Sequence, residues 1–160
     1  KTQWIELEMP LLQGILQRIK EKHGNKKSLD FACGTGRILE VHENYFDYPF
    51  GVDVSESMID IARSRCKKSN IIHQDITKEP LSESFDVITA FRFFLNAEQD
   101  LRKDVLSALR DNLSDSGYLV VNNHVNSRSL LGLAYRARTK CAKTVLENNL
   151  AYVEFVKLLN

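Results

Sequence analysis

The chain has little of what marks the specialised protein classes. Only three prolines and seven glycines occur in 160 residues, which excludes collagen-like and low-complexity architectures. Cys33, Cys66 and Cys141 are odd in number and widely spaced. With no Cys-x-x-Cys pair and no histidine at ligand spacing, neither a disulfide framework nor a metal site is expected, and three reduced thiols in a cytoplasmic protein is the simpler account. Charge of one sign is not in excess either: 22 basic and 21 acidic residues leave a net charge of +1, too little to hold a phosphate backbone, so no nucleic-acid partner is expected. No run approaches the roughly 20 apolar residues that span a bilayer, and Glu6 and Glu8 interrupt the amino-terminal stretch where a signal peptide would be apolar. A soluble chain without a membrane partner is expected. Oligomeric state is not specified by the sequence.

What is present is an ordinary globular composition, 43% hydrophobic and 27% charged, in a length that fits one domain and buries roughly 68–70% of the unfolded surface. Two hydrophobic periods alternate. Pro10 suits a first helical turn, and Leu11, Leu12, Ile15, Leu16 and Ile19 follow at helical spacing until His23-Gly24-Asn25. The run from Ser28 to Cys33 predicts a strand entering the turn Gly34-Thr35-Gly36, after which Ile38 and Leu39 begin a helix, extended by Val41 and Phe46. Further strands are predicted over Phe50–Val54, Asn70–Asp75, Phe85–Phe91 and Tyr118–Asn122. Between them lie a helix capped by Ser55 or Ser57 and a helix from Asn96 with a stripe of Leu101, Val105, Leu106, Leu109 and Leu113. Strands alternating with helices predict an α/β class: a doubly wound, mostly parallel sheet, whose ligands bind beyond the carboxyl ends of the strands.

Three of those strand ends carry chemistry. Gly34 and Gly36 let backbone pass close to a ligand, and the following helix turns N–H groups toward an anion; alone, such a turn is equally a matter of tight packing. Asp53 stands seventeen residues beyond Gly36, at the end of the second predicted strand, where a carboxylate can accept both hydroxyls of a ribose. Gln74-Asp75-Ile76 offers an acceptor for an exocyclic amine beside an apolar side chain able to lie on an adenine face. Singly, Asp53 and Asp75 read as turn or cap residues; together they favour one nucleoside held by successive strand ends. A dinucleotide fingerprint would want glycine at position 39, where Leu39 stands, so an NAD-dependent dehydrogenase is the less favoured alternative.

The segments Leu29-Asp-Phe-Ala-Cys-Gly-Thr-Gly36, Gly51-Val-Asp-Val-Ser-Glu-Ser-Met58, Asp75-Ile76 and Phe85-Asp-Val-Ile88 resemble, in order, the motifs of class I S-adenosylmethionine-dependent methyltransferases, with a Rossmann-like fold. The resemblance spans residues 28 to about 124. It implies S-adenosylmethionine as cofactor, its methionine part held by the turn of Ala32, Cys33, Gly34 and Gly36, its ribose by Asp53, and its adenine by Asp75 and Ile76. Val54 and Met58 fall where the family packs apolar side chains on the adenine, and Asp30 at the acidic position near the cofactor's amino group. The family's first glycine is Ala32 here, whose methyl narrows the approach to the methionine. The implied organisation is one methyltransferase-like domain over 1–160, with an amino-terminal helix in 1–27, a cofactor-binding core over 28–124 and a helical carboxyl-terminal segment over 125–160.

Methyl transfer from a sulfonium is an in-line displacement that disperses charge, so alignment and exclusion of water come before any particular catalytic group. His124 is the candidate general base for a hydroxyl acceptor and equally a polar rim group. Arg92, following the fourth predicted strand beside Phe91, Phe93 and Phe94, is a second candidate: it faces an acidic acceptor or caps a helix. Phe91 is placed by the resemblance at the cofactor, and Phe93 and Phe94 either close the pocket or belong to the core. The Asn/Asp-Pro-Pro-Tyr/Phe signature of enzymes that methylate exocyclic amines is lacking, which turns the expectation to a small-molecule methyl acceptor. Beyond Asn126, Arg128, Arg136, Arg138, Lys140 and Lys143 gather around apolar residues, more simply as a solvated helix face than as an anion site. The family's two last strands are not discernible there, so a truncated end, or residues omitted near Lys140-Cys141, is expected. A binding module that kept the nucleoside pocket without activity is the alternative from another functional class.

Overall fold

A computed structural model describes residues 8–24 and 26–122. The elements run α1 (Met9–His23), β1 (Lys27–Phe31), α2 (Arg37–His42), β2 (Tyr48–Asp53), α3 (Glu56–Arg65), β3 (Asn70–His73), β4 (Phe85–Ala90), α4 (Phe93–Asn96), α5 (Gln99–Asp111) and β5 (Leu113–Val121). The strands form one sheet in the order β3-β2-β1-β4-β5, and every neighbouring pair is parallel. This is the doubly wound α/β arrangement that the alternation of periods implies. Strand order reverses between β1 and β4, so the crevice for a ligand opens above those two strands. The five strands are those of the described residues; two further ones are not found among them.

The sheet is covered on both faces. On one face Leu29, Phe31, Phe85 and Ile88 pack with Val105, Leu106 and Leu109 of α5. Toward the other, Val87 meets Leu12, Leu16 and Ile19 of α1 and Ile38 and Val41 of α2. Alternation sorts Leu29 and Phe31 from Ser28 and Asp30 along β1, and Ile88 from Val87 along β4; Phe85 precedes the register shift at Phe85/Val87 and does not follow that alternation. Of the five apolar residues predicted to line α1, Leu12, Leu16 and Ile19 are buried, whereas Leu11 and Ile15 stand exposed, because spacings of four and three residues define one narrow stripe. Gly24, at φ 74°, ends the helix by donating its N–H to the Lys20 carbonyl.

Boundaries depart from the sequence reading in several places. The second helix stops at His42 rather than running to Phe46, although Phe46 is still buried in the same cluster. β3 stops at His73 and β4 at Ala90, which releases Asp75 and Phe91 into the rim. The helix expected from Asn96 is divided: Phe93–Asn96 forms a separate turn, and α5 starts at Gln99. β5 begins early. Leu113 pairs with Phe85 and Tyr118 with Val87, so residues 114–117 bulge opposite Asp86. Ser116 and Gly117, ahead of the strand expected over Tyr118–Asn122, therefore lie inside β5.

Candidate functional site

The rim above the carboxyl ends of β1, β2 and β3 is locked by its own hydrogen bonds. Asp53 accepts the Gly34 N–H at 2.8 Å on Oδ2 and the Ser55 N–H at 2.9 Å on Oδ1, and its carbonyl accepts the Gln74 N–H at 3.1 Å. One residue thus braces the turn after β1, the start of α3 and the end of β3. A carboxylate has about four lone-pair directions, so capacity for two more donors remains. Asp75 accepts the Thr77 N–H and hydroxyl on Oδ1 and pairs with Lys78 through Oδ2. The Thr77 and Lys78 hydrogen bonds hold its carboxyl below the usual carboxylate range.

The two glycines of the first turn serve different needs. A Cβ on Gly34, at φ 52°, would meet nothing within 4 Å; this residue presents bare backbone to open space. A Cβ on Gly36, at φ 77°, would lie 2.9 Å from Cys66 Sγ and 3.1 Å from Ala62, so Gly36 exists for the close approach of α3. Cys33 turns its side chain inward toward Gly51, while its N–H and carbonyl are spent on Val52 and Gly36. Burial, with Asp30 and Asp53 adding to it, pushes its thiol up, which makes it inert.

Two hollows open at this rim. The first, about 170 Å³, takes Phe31 and Ala32 from the end of β1, Val52, Asp53 and Val54 from β2, and Gln74 to Thr77 after β3. Phe93, Leu101 and Val105 complete its wall. Among the described residues its lining carries acceptors and apolar carbon but no lysine or arginine. The second, about 370 Å³, is bounded by Ala32, Phe93 and Leu101, which it shares with the first, and by Phe91, Arg92, Asn96 and Ala97. It lies at the reversal of strand order. Ala32 (φ 54°) and Arg92 (φ 63°) are the two non-glycine residues with positive φ among the described residues. They follow β1 and β4 on either side of the crevice, where strain of this kind concentrates.

Of the residues predicted for the cofactor, Ala32, Asp53, Val54, Asp75 and Ile76 line the first hollow and Phe91 the second. Cys33, Gly34, Gly36 and Met58 line neither. Gly36 and Cys33 are committed to packing, Gly34 meets the site only through backbone, and Met58 stands exposed on α3. Phe93 is a wall residue of both hollows and packs edge-on against Phe31 at 4.8 Å, whereas Phe94 belongs to the core. Arg92 lines the second hollow. His124, the basic run from Arg128 to Lys143 and Cys141 lie outside the described residues.

Asp30 does not reach either hollow. Its carboxyl is fully buried beneath the turn, where Oδ1 accepts the Thr89 hydroxyl at 2.7 Å and Oδ2 makes no close hydrogen bond. The Thr89 hydroxyl also meets His42 Nε2 at 3.1 Å, and His42 Nδ1 meets the Ser28 hydroxyl at 3.0 Å. Burial raises Asp30 to about 7, against the opposing Thr89 hydrogen bond, and lowers His42 to about 3. This chain of four side chains, Ser28 to Asp30, lies on the face of the sheet that α2 covers. Sequence reading missed His42, because one histidine in an amphipathic helix carries no spacing signal. Phe31, Val52 and Thr77 were also missed; their signal is the alternation of β1 and β2 and the turn after β3.

Among the described residues no helix is long and apolar enough to cross a membrane, and no group of three or more His, Cys, Asp or Glu could hold a metal ion.

A family model described as a methyltransferase domain matches residues 29–117, which contain both carboxylates and the glycine turn. The chain is 32% identical over 111 residues to a dTDP-4-amino-2,3,4,6-tetradeoxy-D-glucose N,N-dimethyltransferase of Saccharopolyspora spinosa, covering 67% of this chain and 44% of that protein. It is 27% identical over 117 residues to YcgJ, an uncharacterized methyltransferase of Bacillus subtilis (strain 168), covering 69% and 46%. The match thus spans under half the length of either curated relative. A solved structure, the S-adenosylmethionine-bound amino pentose methyltransferase CalS10 of Micromonospora echinaspora, superposes with a TM-score of 0.63 at 23% identity, over 70% of this chain and 49% of that one. The fold is shared, the family model covers more than half of the chain, and this chain belongs to the methyltransferase domain family, the class I S-adenosylmethionine-dependent enzymes that its motifs resemble.

Proposed function

We propose that this chain is an enzyme that binds S-adenosylmethionine across the two joined hollows and carries out methyl transfer to a small-molecule acceptor. The observation that carries the reading is the convergence of Asp53 and Asp75 on one apolar hollow, with Asp53 retaining acceptor capacity beside the bare backbone of Gly34. In this reading Asp53 accepts the ribose hydroxyls, Asp75 faces the adenine amine, and Val54 and Ile76 flank the base. The lining also speaks against the dinucleotide alternative: a pyrophosphate would face two carboxylates with no lining cation, and the Gly34 N–H is already donated to Asp53.

The cofactor supplies an activated methyl on a positively charged sulfur. The chain's own residues orient and dehydrate the reacting ends, with Phe91 and Phe93 excluding water from the second hollow. The acceptor class of the sugar methyltransferase relative is consistent with an acceptor of that size. Calorimetry with S-adenosylhomocysteine tests the reading. Binding in the micromolar range is expected, with no heat from NADH, and Asp53→Ala should weaken it at least ~30-fold through two charge-assisted hydrogen bonds. Because Asp53 also braces the rim, Asp75→Asn, whose amide oxygen can still accept from Thr77, serves as the second variant and should weaken binding about tenfold with little change in thermal stability. Labelled methyl turnover on a metabolite mixture separates an enzyme from a binding module; failure of both titration and turnover overturns the reading.

A further inference from the structure

Among the described residues the second hollow has one charged wall residue, and its sign is positive. Arg92 is fixed by its backbone: its N–H donates to Asn122 Oδ1 at 2.6 Å and its carbonyl accepts from Asn96 Nδ2 at 2.6 Å. These bonds hold Arg92 in its left-handed φ of 63° at the wall of the hollow. One guanidinium nitrogen, Nη2, meets Glu8 Oε2 at 3.2 Å, across 84 positions of sequence. A guanidinium has five N–H donors in a fixed fork, so this pairing orients Arg92 and leaves donors to spare on a side chain that is 45% exposed and belongs to a residue lining the hollow. Arg37 stands close enough that, after burial, repulsion from Arg92 is the next cause lowering its pKa, with Glu8 opposing. Two arginines therefore face one glutamate, while Arg65 nearby pairs with Glu40. Among the described residues, the buried Asn122 Nδ2 has no hydrogen-bond partner and no acidic residue lines the hollow.

We propose that the methyl acceptor carries an anionic oxygen group, a carboxylate or phosphate, held by the free edge of the Arg92 guanidinium, with Glu8 positioning that fork. The inference rests on the reading of the second hollow as the acceptor site. Bidentate recognition of a planar anion is what an oriented guanidinium does best, and Phe91 and Phe93 offer flanking rings for an apolar body behind the anion. An amine acceptor entering as a cation would meet Arg92 with no compensating carboxylate among the described wall residues.

Benzoate, phenyl phosphate, benzamide and benzylamine, titrated by NMR with and without saturating S-adenosylhomocysteine, test this directly. Benzoate or phenyl phosphate should bind, which of them is tighter identifying the anion, and benzamide and benzylamine should bind at least tenfold more weakly. Arg92→Gln should cost the anion at least tenfold, Arg92→Lys should restore part of it, and Glu8→Gln, which keeps an accepting oxygen to orient the fork and leaves the backbone at 92 untouched, should tighten it several-fold by removing the competing charge. Preference for benzylamine, or an anion affinity unchanged in Arg92→Gln, overturns the proposal. The arm without S-adenosylhomocysteine tests the anion site even if the nucleoside reading fails, and loss of S-adenosylhomocysteine binding alone counts against that reading and not against the anion site.

Discussion

The two faces of the sheet are built on different physics. Beneath α5 the core is mostly carbon, with Phe85, Ile88 and Leu109 almost wholly buried, although Arg102 of that helix and Asn112 at its end are buried as well. Beneath α2 the same strands bury Ser28, Asp30, Thr89 and His42 in a hydrogen-bonded chain. The first face derives its stability from area and close packing, which ignore pH. The second depends on every member finding a partner, because an unpartnered buried polar group is costly. The polar face lies under the glycine turn, so the element nearest the proposed cofactor rests on the part of the core that responds to protons.

Substitutions on each face sharpen the contrast. Phe85→Ala should have the largest effect, a loss of about 3–5 kcal/mol that is the same from pH 5 to pH 8, measured by urea unfolding. Thr89→Val removes the central link and strands Asp30 Oδ1 and His42 Nε2, each at about 1–3 kcal/mol; an effect no larger than that of an exposed Thr→Val change would break the comparison.

The pH dependence of the pair is a third test. Between about pH 4 and 6.5 the folded chain holds a proton on Asp30, raised to about 7, and none on His42, lowered to about 3. The unfolded chain, with ordinary values of 3.8 and 6.5, holds one on His42 and none on Asp30. The totals match, so this pair leaves stability flat in that window. Asp30→Asn removes one side of the balance, and stability should then fall as pH drops below 6.5, by up to about 1.4 kcal/mol per unit. His42→Gln should give the opposite slope, with stability falling as pH rises from 4 toward 7. Parallel slopes in the two variants would refute the coupling. The smallest effect is expected at the crevice: Ala32→Gly relieves a left-handed alanine and should stabilise by up to about 1 kcal/mol, read as a rise in Tm.

The fold was largely legible because each strand is a short apolar run bounded by turn chemistry, and because Asp53 and Asp75 fall at strand ends that can be counted along the chain. Pairwise geometry was not legible. Gly36 and Gly34 look alike in sequence, yet one serves Cys66 and Ala62 and the other open space. Glu8 finds Arg92 only after α1 has packed across the sheet. The split between Phe93 and Phe94 depends on the short helix α4, whose register no periodicity of four residues can fix. Asp30 matched a motif position, but burial, which sequence does not print, took its carboxyl away from the cavity.

The seat of Gly36 also gives the molecule an internal gauge. Cys66 is buried, its Sγ lies against the Gly36 carbonyl at 3.5 Å, and burial, followed by Glu43 and Glu40, raises its thiol to about 11. An alkylating reagent can reach that sulfur only when the seam between the glycine turn and α3 parts. The speed of its capture therefore counts how often the seam breathes, and a nucleoside that clamps the turn would slow the count.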